Sequence, residues 1–187
     1  MPVPTPSQTI GPFLHIELPY EGEDKLVAPN HPDAIRLIGR ITDGQGDAVD
    51  DALVEIWQAN AAGRYAHPED TREDLPIEDG FTGFGRCATD QEGRYEFLTV
   101  KPGPVPGPNG RPQAPHIDVS VFARGLLNRL VTRIYFPDEA EANAADPVLS
   151  LIEDEGERNT LVATQADGAL RFDIRLQGEG ETTFFVI

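Results

Sequence analysis

The sequence has a single cysteine and few basic residues, and each shortage excludes a class of protein. Cys87 cannot form an internal disulfide, which excludes a disulfide-stapled scaffold and predicts a buried thiol that packs like a small apolar side chain. Lysine and arginine together number 15 against 32 acidic residues, which gives a net charge of −17. Nucleic acids and anionic membrane surfaces are bound through basic surfaces, so the charge argues against both as partners.

Long apolar runs are also missing from the 187 residues. No stretch approaches the roughly 20 apolar residues of a membrane-spanning helix. The first residues have neither the basic start nor the apolar run of a secretory signal, so we expect a cytoplasmic protein. The length is enough to bury one sizeable core and favours one domain.

Short β-rich runs separated by turn residues fill most of the chain. The 18 glycines and 17 prolines fall between these runs and therefore indicate turns. About nine strands are predicted, at residues 34–42, 52–58, 84–89, 94–100, 117–122, 130–136, 161–164, 170–176 and 182–186. This number suits an all-β fold, a two-sheet, mainly antiparallel β-sandwich or a barrel. Residues 147–159 alone read as a helix, a short one at the surface.

The connections between the runs carry their own signals. Residues 43–46 read as a turn joining two strands, while residues 90–93 and 167–168 read as hairpin connections, because glycine supplies the positive φ of tight turns. Residues 101–115 hold six prolines, which cannot donate to a strand ladder, and we interpret this segment as a long binding loop.

Four stretches, in this order, carry a family resemblance. They are residues 5–12 (TPSQTIGP), residues 51–60 with Gly63-Arg64-Tyr65, residues 85–90 through 101–104, and His116-Ile117-Asp118. Together they resemble the intradiol ring-cleaving dioxygenases, specifically the protocatechuate 3,4-dioxygenase family. The resemblance implies a β-sandwich domain over residues 34–187, preceded by an N-terminal arm, residues 1–33, that reaches into a partner chain.

The resemblance also implies a metal, which this chain is not expected to hold. Iron-bearing chains of the family bind a non-haem Fe³⁺ through two tyrosines and two histidines, ligands that suit a hard ferric ion. Here Val105 follows the Pro-Gly-Pro turn where a tyrosine is expected, and residues 70–75 lack the other tyrosine. His116 remains at a ligand position, but Asp118 replaces the second histidine. No metal is therefore expected in this chain, although His116 and Asp118 should face the same side of a strand.

By this resemblance the chain is similar to the family's iron-free α chains, whose partner is an iron-bearing β chain of the same fold. The pair is expected to belong to a large hetero-oligomer that cleaves 3,4-dihydroxybenzoate with O₂, in the β-ketoadipate pathway. Carried over by motif, the substrate-binding residues would be Thr9, Gly11, Pro12 and Phe13 of the arm, together with Arg133. No catalytic residue is assigned to this chain.

Arg133 also has a physical rationale of its own. An anionic aromatic substrate that approaches a chain of charge −17 needs a local cation, and the planar guanidinium can pair with a carboxylate through two hydrogen bonds. Two alternatives stay open at this point: a metal-free β-sandwich binding module, and a purely structural subunit that never touches substrate. Acyl-transfer chemistry is not supported, because the sequence shows no nucleophile elbow.

Overall fold

Two sheets enclose one apolar core in the structure, a computed structural model that describes residue 11, residue 18 and residues 20–186. The first sheet contains β1 (Ala34–Thr42), β4 (Arg94–Val100), β9 (Thr164–Ala166), β10 (Ala169–Arg171) and β11 (Ile174–Arg175). Strand β1 is central: it pairs antiparallel with β4 on one side and parallel with β10 and β11 on the other. Strand β9 pairs with β10.

The second sheet contains β2 (Leu53–Trp57), β3 (Phe84–Ala88), β7 (His116–Phe122) and β8 (Leu130–Tyr135). It is entirely antiparallel, in the order β3-β2-β7-β8. A separate two-stranded hairpin lies in the proline-rich connection and consists of β5 (Val105–Pro106), a 3₁₀ turn (Pro108–Gly110) and β6 (Pro112–Gln113). The predicted all-β, mainly antiparallel sandwich is therefore confirmed.

Alternation along the strands decides which side chains form the core. Val54 and Ile56 of β2 and Ile117, Val119 and Val121 of β7 are almost fully buried, while the residues between them are on the opposite face. Across the core they meet the apolar residues of the first sheet: Leu37, Ile41, Phe97 and Ile174. Leu26 and Val27, which precede β1, belong to the same core. Cys87 packs against this core half-buried, and burial raises the pKa of its thiol.

Residues 43–46 form a turn between two strands, as predicted, whereas residues 90–93 are not the predicted hairpin connection, which corrects that prediction. The first leads from β1 to β2 and the second from β3 to β4, and in each case the two strands belong to different sheets. Local hydrogen bonds hold these turns, such as those from the amides of Gln45 and Asp47 to the Asp43 carboxylate. The turn at residues 167–168 joins the neighbouring antiparallel strands β9 and β10, as predicted.

The predicted helix over residues 147–159 is also wrong, because two aspartates start separate short elements. The Asp146 carboxylate accepts hydrogen bonds from the amides of Val148 and Leu149 at the 3₁₀ turn Leu149–Leu151. The Asp154 side chain caps a second helix, Glu155–Asn159. A further helix, Ala140–Ala145, was not predicted. Among the described residues, no helix is both long and apolar enough to cross a bilayer.

Three of the predicted strands near the C-terminus are shorter than expected. In place of full strands, isolated β-bridges form at residues 161–164 and 182–186, where Val162 pairs with Tyr135 and Phe185 pairs with Val131. The run at 170–176 divides into β10 and β11, because the Asp173 carboxylate accepts a hydrogen bond from the Arg40 amide between them.

Candidate functional site

The outer face of the second sheet brings the residues with ligand-like chemistry together. Trp57 lies opposite Asp118, and Asp118 lies opposite Arg133, so the three occupy one row across β2, β7 and β8. His116 lies opposite Tyr135 on the same face, two residues from Asp118. The expectation that His116 and Asp118 face one side is confirmed, since Ile117 between them is in the core.

Arg133 is held by side chains of this chain. Its Nε donates to Asp118 Oδ1 at 2.8 Å, and its Nη1 donates to Gln113 Oε1 at 2.7 Å. Tyr135 Oη is 3.5 Å from Nη1. The Arg133 side chain is 19% exposed, and although burial lowers its pKa, the Asp118 carboxylate reverses the effect and raises that pKa above its ordinary value. The guanidinium is therefore a fixed, half-buried cation.

His116 is neutral and incompletely satisfied. Its side chain is 2% exposed, and Nδ1 is 2.7 Å from the Ala114 carbonyl oxygen, which requires a proton on Nδ1. Burial lowers the pKa of His116, and the charge of Arg133 lowers it further. Nε2 therefore carries no proton and presents a lone pair. Among the described residues it has no hydrogen-bond partner. The Asp118 Oδ2 atom is 3.9 Å away from it.

An open pocket of about 570 Å³ lies beside this row. Trp57 and Tyr65 form one wall, with their rings stacked at 5.9 Å and nearly parallel, and His67 meets Trp57 edge-on. The remaining lining residues are Glu69, Asp70, Thr71, Arg72 and Pro106. Burial and the charge of Asp118 raise the pKa of Tyr65 to about 12, so its phenol stays protonated at neutral pH.

The positions where the family resemblance implies tyrosine ligands also lie here. Val105 is buried and pairs with Gln113, the residue that accepts from Arg133. At the other position, Asp70 accepts from the Tyr65 amide and forms an ion pair with Arg72 at 2.5 Å, and the Arg72 guanidinium holds the pKa of that carboxyl well below its usual range. The positions that the resemblance assigns to the family's ligands thus lie near one another. Val105 is linked through Gln113 to Arg133 and Asp118, and both Asp70 and Asp118 lie close to Tyr65.

These residues do not fit a ferric ion. Fe³⁺ favours anionic oxygen ligands, whereas Val105 supplies no donor and the Asp118 carboxylate is already paired with Arg133. The His116 imidazole by itself is not enough to hold the ion. No group of three or more histidine, cysteine or acidic side chains arranged for a metal is found in the part of the chain that the structure describes.

Most of the predicted substrate-binding residues lie outside the part of the chain that the structure describes. Thr9, Pro12 and Phe13 lie outside the described residues, and Gly11 is exposed. Sequence reasoning missed Gln113 as a partner of Arg133. It also did not anticipate that Tyr135 donates to the buried carboxylate of Asp146, at 3.3 Å. The opposite charges of residues 118 and 133, on neighbouring strands, were the available signal for the ion pair.

Comparison with known proteins agrees with the resemblance drawn from the motifs. The family model described as "Dioxygenase" matches residues 23–178. The protocatechuate 3,4-dioxygenase alpha chain of Pseudomonas putida is 46% identical, over 97% of this chain and 95% of its own length. The protocatechuate 3,4-dioxygenase beta chain of Burkholderia cepacia is 44% identical, over 79% of this chain and 66% of its own length.

Solved structures support the fold. The dioxygenase domain of a carbohydrate-binding fusion protein from Streptomyces sp. SirexAA-E aligns with a TM-score of 0.58 at 24% identity, covering 94% of this chain and 99% of that one. Catechol 1,2-dioxygenase from Pseudomonas arvilla C-1 aligns with a TM-score of 0.55 at 22% identity, covering 82% of this chain and 55% of that one. At these identities the likeness concerns the fold alone.

Proposed function

The chain belongs to the intradiol ring-cleaving dioxygenase family, and on this premise we propose that it acts as the iron-free α chain of a protocatechuate 3,4-dioxygenase. In this proposal an iron-bearing β chain of the same fold holds the Fe³⁺. The complex inserts both atoms of O₂ between the two hydroxylated carbons of 3,4-dihydroxybenzoate and so forms 3-carboxy-cis,cis-muconate.

The observation that carries the iron-free role is the donor set on the outer face of the second sheet. The Asp118 carboxylate is neutralised by Arg133 at 2.8 Å, and Val105 offers no oxygen where the family's iron-bearing chains have a tyrosine. A chain with these side chains needs a partner to supply the metal. The similarity to both an alpha and a beta chain supports a partner of the same fold.

We place the contribution of this chain to the substrate pocket in its N-terminal arm, at Thr9, Gly11, Pro12 and Phe13, with Arg133 as a further candidate. The Nε and Nη1 atoms of Arg133 already bind Asp118 and Gln113. Among the described residues Nη2 makes no hydrogen bond, so it is the atom that a substrate carboxylate would have to use. Arg133 would then make a single charged hydrogen bond to the substrate in place of the two suggested by the sequence.

The decisive experiment expresses this chain alone and together with its iron-bearing β-chain partner. We expect the chain alone to bind no stoichiometric iron and to consume no O₂ with 3,4-dihydroxybenzoate. The co-expressed complex should cleave the ring, and metal analysis after separation should find the iron in the β chain. A tyrosinate-to-iron charge-transfer colour in the pure chain would contradict the proposal.

The purely structural subunit is the competing hypothesis, and the same complex separates the two. Substitutions in the arm or at Arg133 that lower activity while the complex stays assembled favour contact with substrate. Full activity in all of them would favour the structural role.

A further inference from the structure

The His116–Asp118 pair has the geometry of an incomplete metal site. Nε2 of His116 is a buried lone pair without a partner among the described residues, and Asp118 Oδ2 is 3.9 Å from it. Metal–nitrogen and metal–oxygen bonds to zinc are about 2.0–2.2 Å long. The separation is therefore short enough for one metal ion to contact both atoms.

The negative charge of Asp118 is already balanced by the side chain of Arg133. The Arg133 guanidinium donates to the other oxygen of the same carboxylate, at 2.8 Å, and is fixed from a second side by Gln113 at 2.7 Å. A metal ion between His116 and Asp118 would lie within a few ångströms of this positive charge, at a half-buried position where the Arg133 side chain is 19% exposed and that of Asp118 32%. Repulsion between like charges is stronger at such a position than in bulk water.

We propose that Arg133 is the built-in cation of this site, which neutralises Asp118 and keeps metal ions from binding between His116 and Asp118. The role goes beyond the proposed function, because it concerns only residues of this chain and holds whichever substrate the assembled complex cleaves. It also gives the partly exposed Asp118 carboxylate, which lies beside a neutral imidazole, a charged partner.

The test measures zinc binding by equilibrium dialysis and metal analysis of the purified complex, with Zn²⁺ as the only added metal. In Arg133→Ala, this chain should bind one additional Zn²⁺ per chain, which the parent should not bind, because the competing positive charge is gone. Adding His116→Ala to that variant should abolish the gain. Arg133→Lys keeps the positive charge and should exclude zinc as the parent does.

Arg36→Ala is the matched control, since it also frees a carboxylate, that of Glu96, from an arginine 2.9 Å away, but at an exposed site. If Arg133→Ala gains no more zinc than Arg36→Ala, or if Arg133→Lys gains as much as Arg133→Ala, the proposal is overturned. Should Arg133→Ala fail to assemble, Arg133→Gln removes the charge while keeping hydrogen-bonding capacity, and the same criteria apply to it. The readout is zinc content, so it is independent of ring-cleavage activity and of the proposed function.

Discussion

Arg133 differs from its sequence-based description in the partners that hold it. The sequence suggests a cation that waits for a substrate carboxylate, whereas the structure pairs it with Asp118 and Gln113. An arginine whose charge is already balanced attracts an anion less strongly than a free one does. Its substrate role therefore stays a prediction and rests on Nη2.

That role predicts a difference between two substrates. One hydrogen bond to a charged group contributes about 1.5–3 kcal/mol, so Arg133→Ala should lower kcat/KM for 3,4-dihydroxybenzoate by about 10- to 150-fold. Plain catechol carries no carboxylate and should lose much less. Arg36→Ala, at an exposed ion pair, should change neither value. An equal loss on both substrates in an assembled complex would mean that Arg133 does not bind the carboxylate.

Among the elements, β1 contains a glycine whose position leaves no room for a side chain. The Tyr95 side chain of β4 passes over Gly39 of β1, and its hydroxyl donates to the Phe172 carbonyl oxygen at 2.6 Å. A Cβ on Gly39 would lie 2.0 Å from that oxygen and 2.6 Å from the Tyr95 ring. Gly39 thus allows the tyrosine to link β4 to the segment between β10 and β11 across the central strand.

Gly39→Ala should consequently lower the free energy of unfolding by about 3 kcal/mol, the upper part of the usual range for overpacking, because a backbone carbonyl cannot move aside as a flexible side chain can. Tyr95→Phe leaves that buried carbonyl without its donor and should cost about 1–3 kcal/mol. Thermal unfolding of the purified protein measures both effects. Gly44→Ala meets only Gln177, at 3.3 Å or more, and serves as the control. Equal effects at Gly39 and Gly44 would refute the crossing argument.

At the scale of the whole molecule, an obligate interface with a partner chain needs apolar contacts. The N-terminal arm offers them in sequence, with Ile10, Phe13, Leu14 and Ile16 among prolines and polar residues. Obligate interfaces typically bury more than about 2,000 Å² and are strongly apolar. The arm is therefore predicted to be part of a large interface in a hetero-oligomer.

Deletion of residues 1–13 tests this prediction. We expect the truncated chain to lose assembly with the β chain, or to assemble without ring cleavage, because the deletion removes Thr9, Gly11, Pro12 and Phe13 together. Size-exclusion chromatography with light scattering, followed by O₂ consumption, distinguishes the two outcomes. A truncated complex of unchanged mass and full activity would rule out the predicted role of the arm.

The residues alone were enough to predict the fold class, the family and several strand features. The bounds predicted for residues 34–42 and 94–100 match β1 and β4, and His116 and Asp118 lie on one face of β7 as expected. A period of two residues specifies the side of a sheet, which is why these predictions succeeded.

The pairing of strands and the meeting of polar side chains followed from the tertiary structure. The connection at residues 90–93 looks like a hairpin, yet it carries the chain from one sheet to the other, because a local turn signal does not encode the long-range hydrogen-bond ladder. The pairing of Asp118 with Arg133 depends on the register of β7 against β8, and Gln113 reaches them through the β5–β6 hairpin. Sequence drew attention to His116, Asp118 and Arg133 but not to Gln113, and register, which is fixed by contacts distant in sequence, made Arg133 the counter-ion of Asp118.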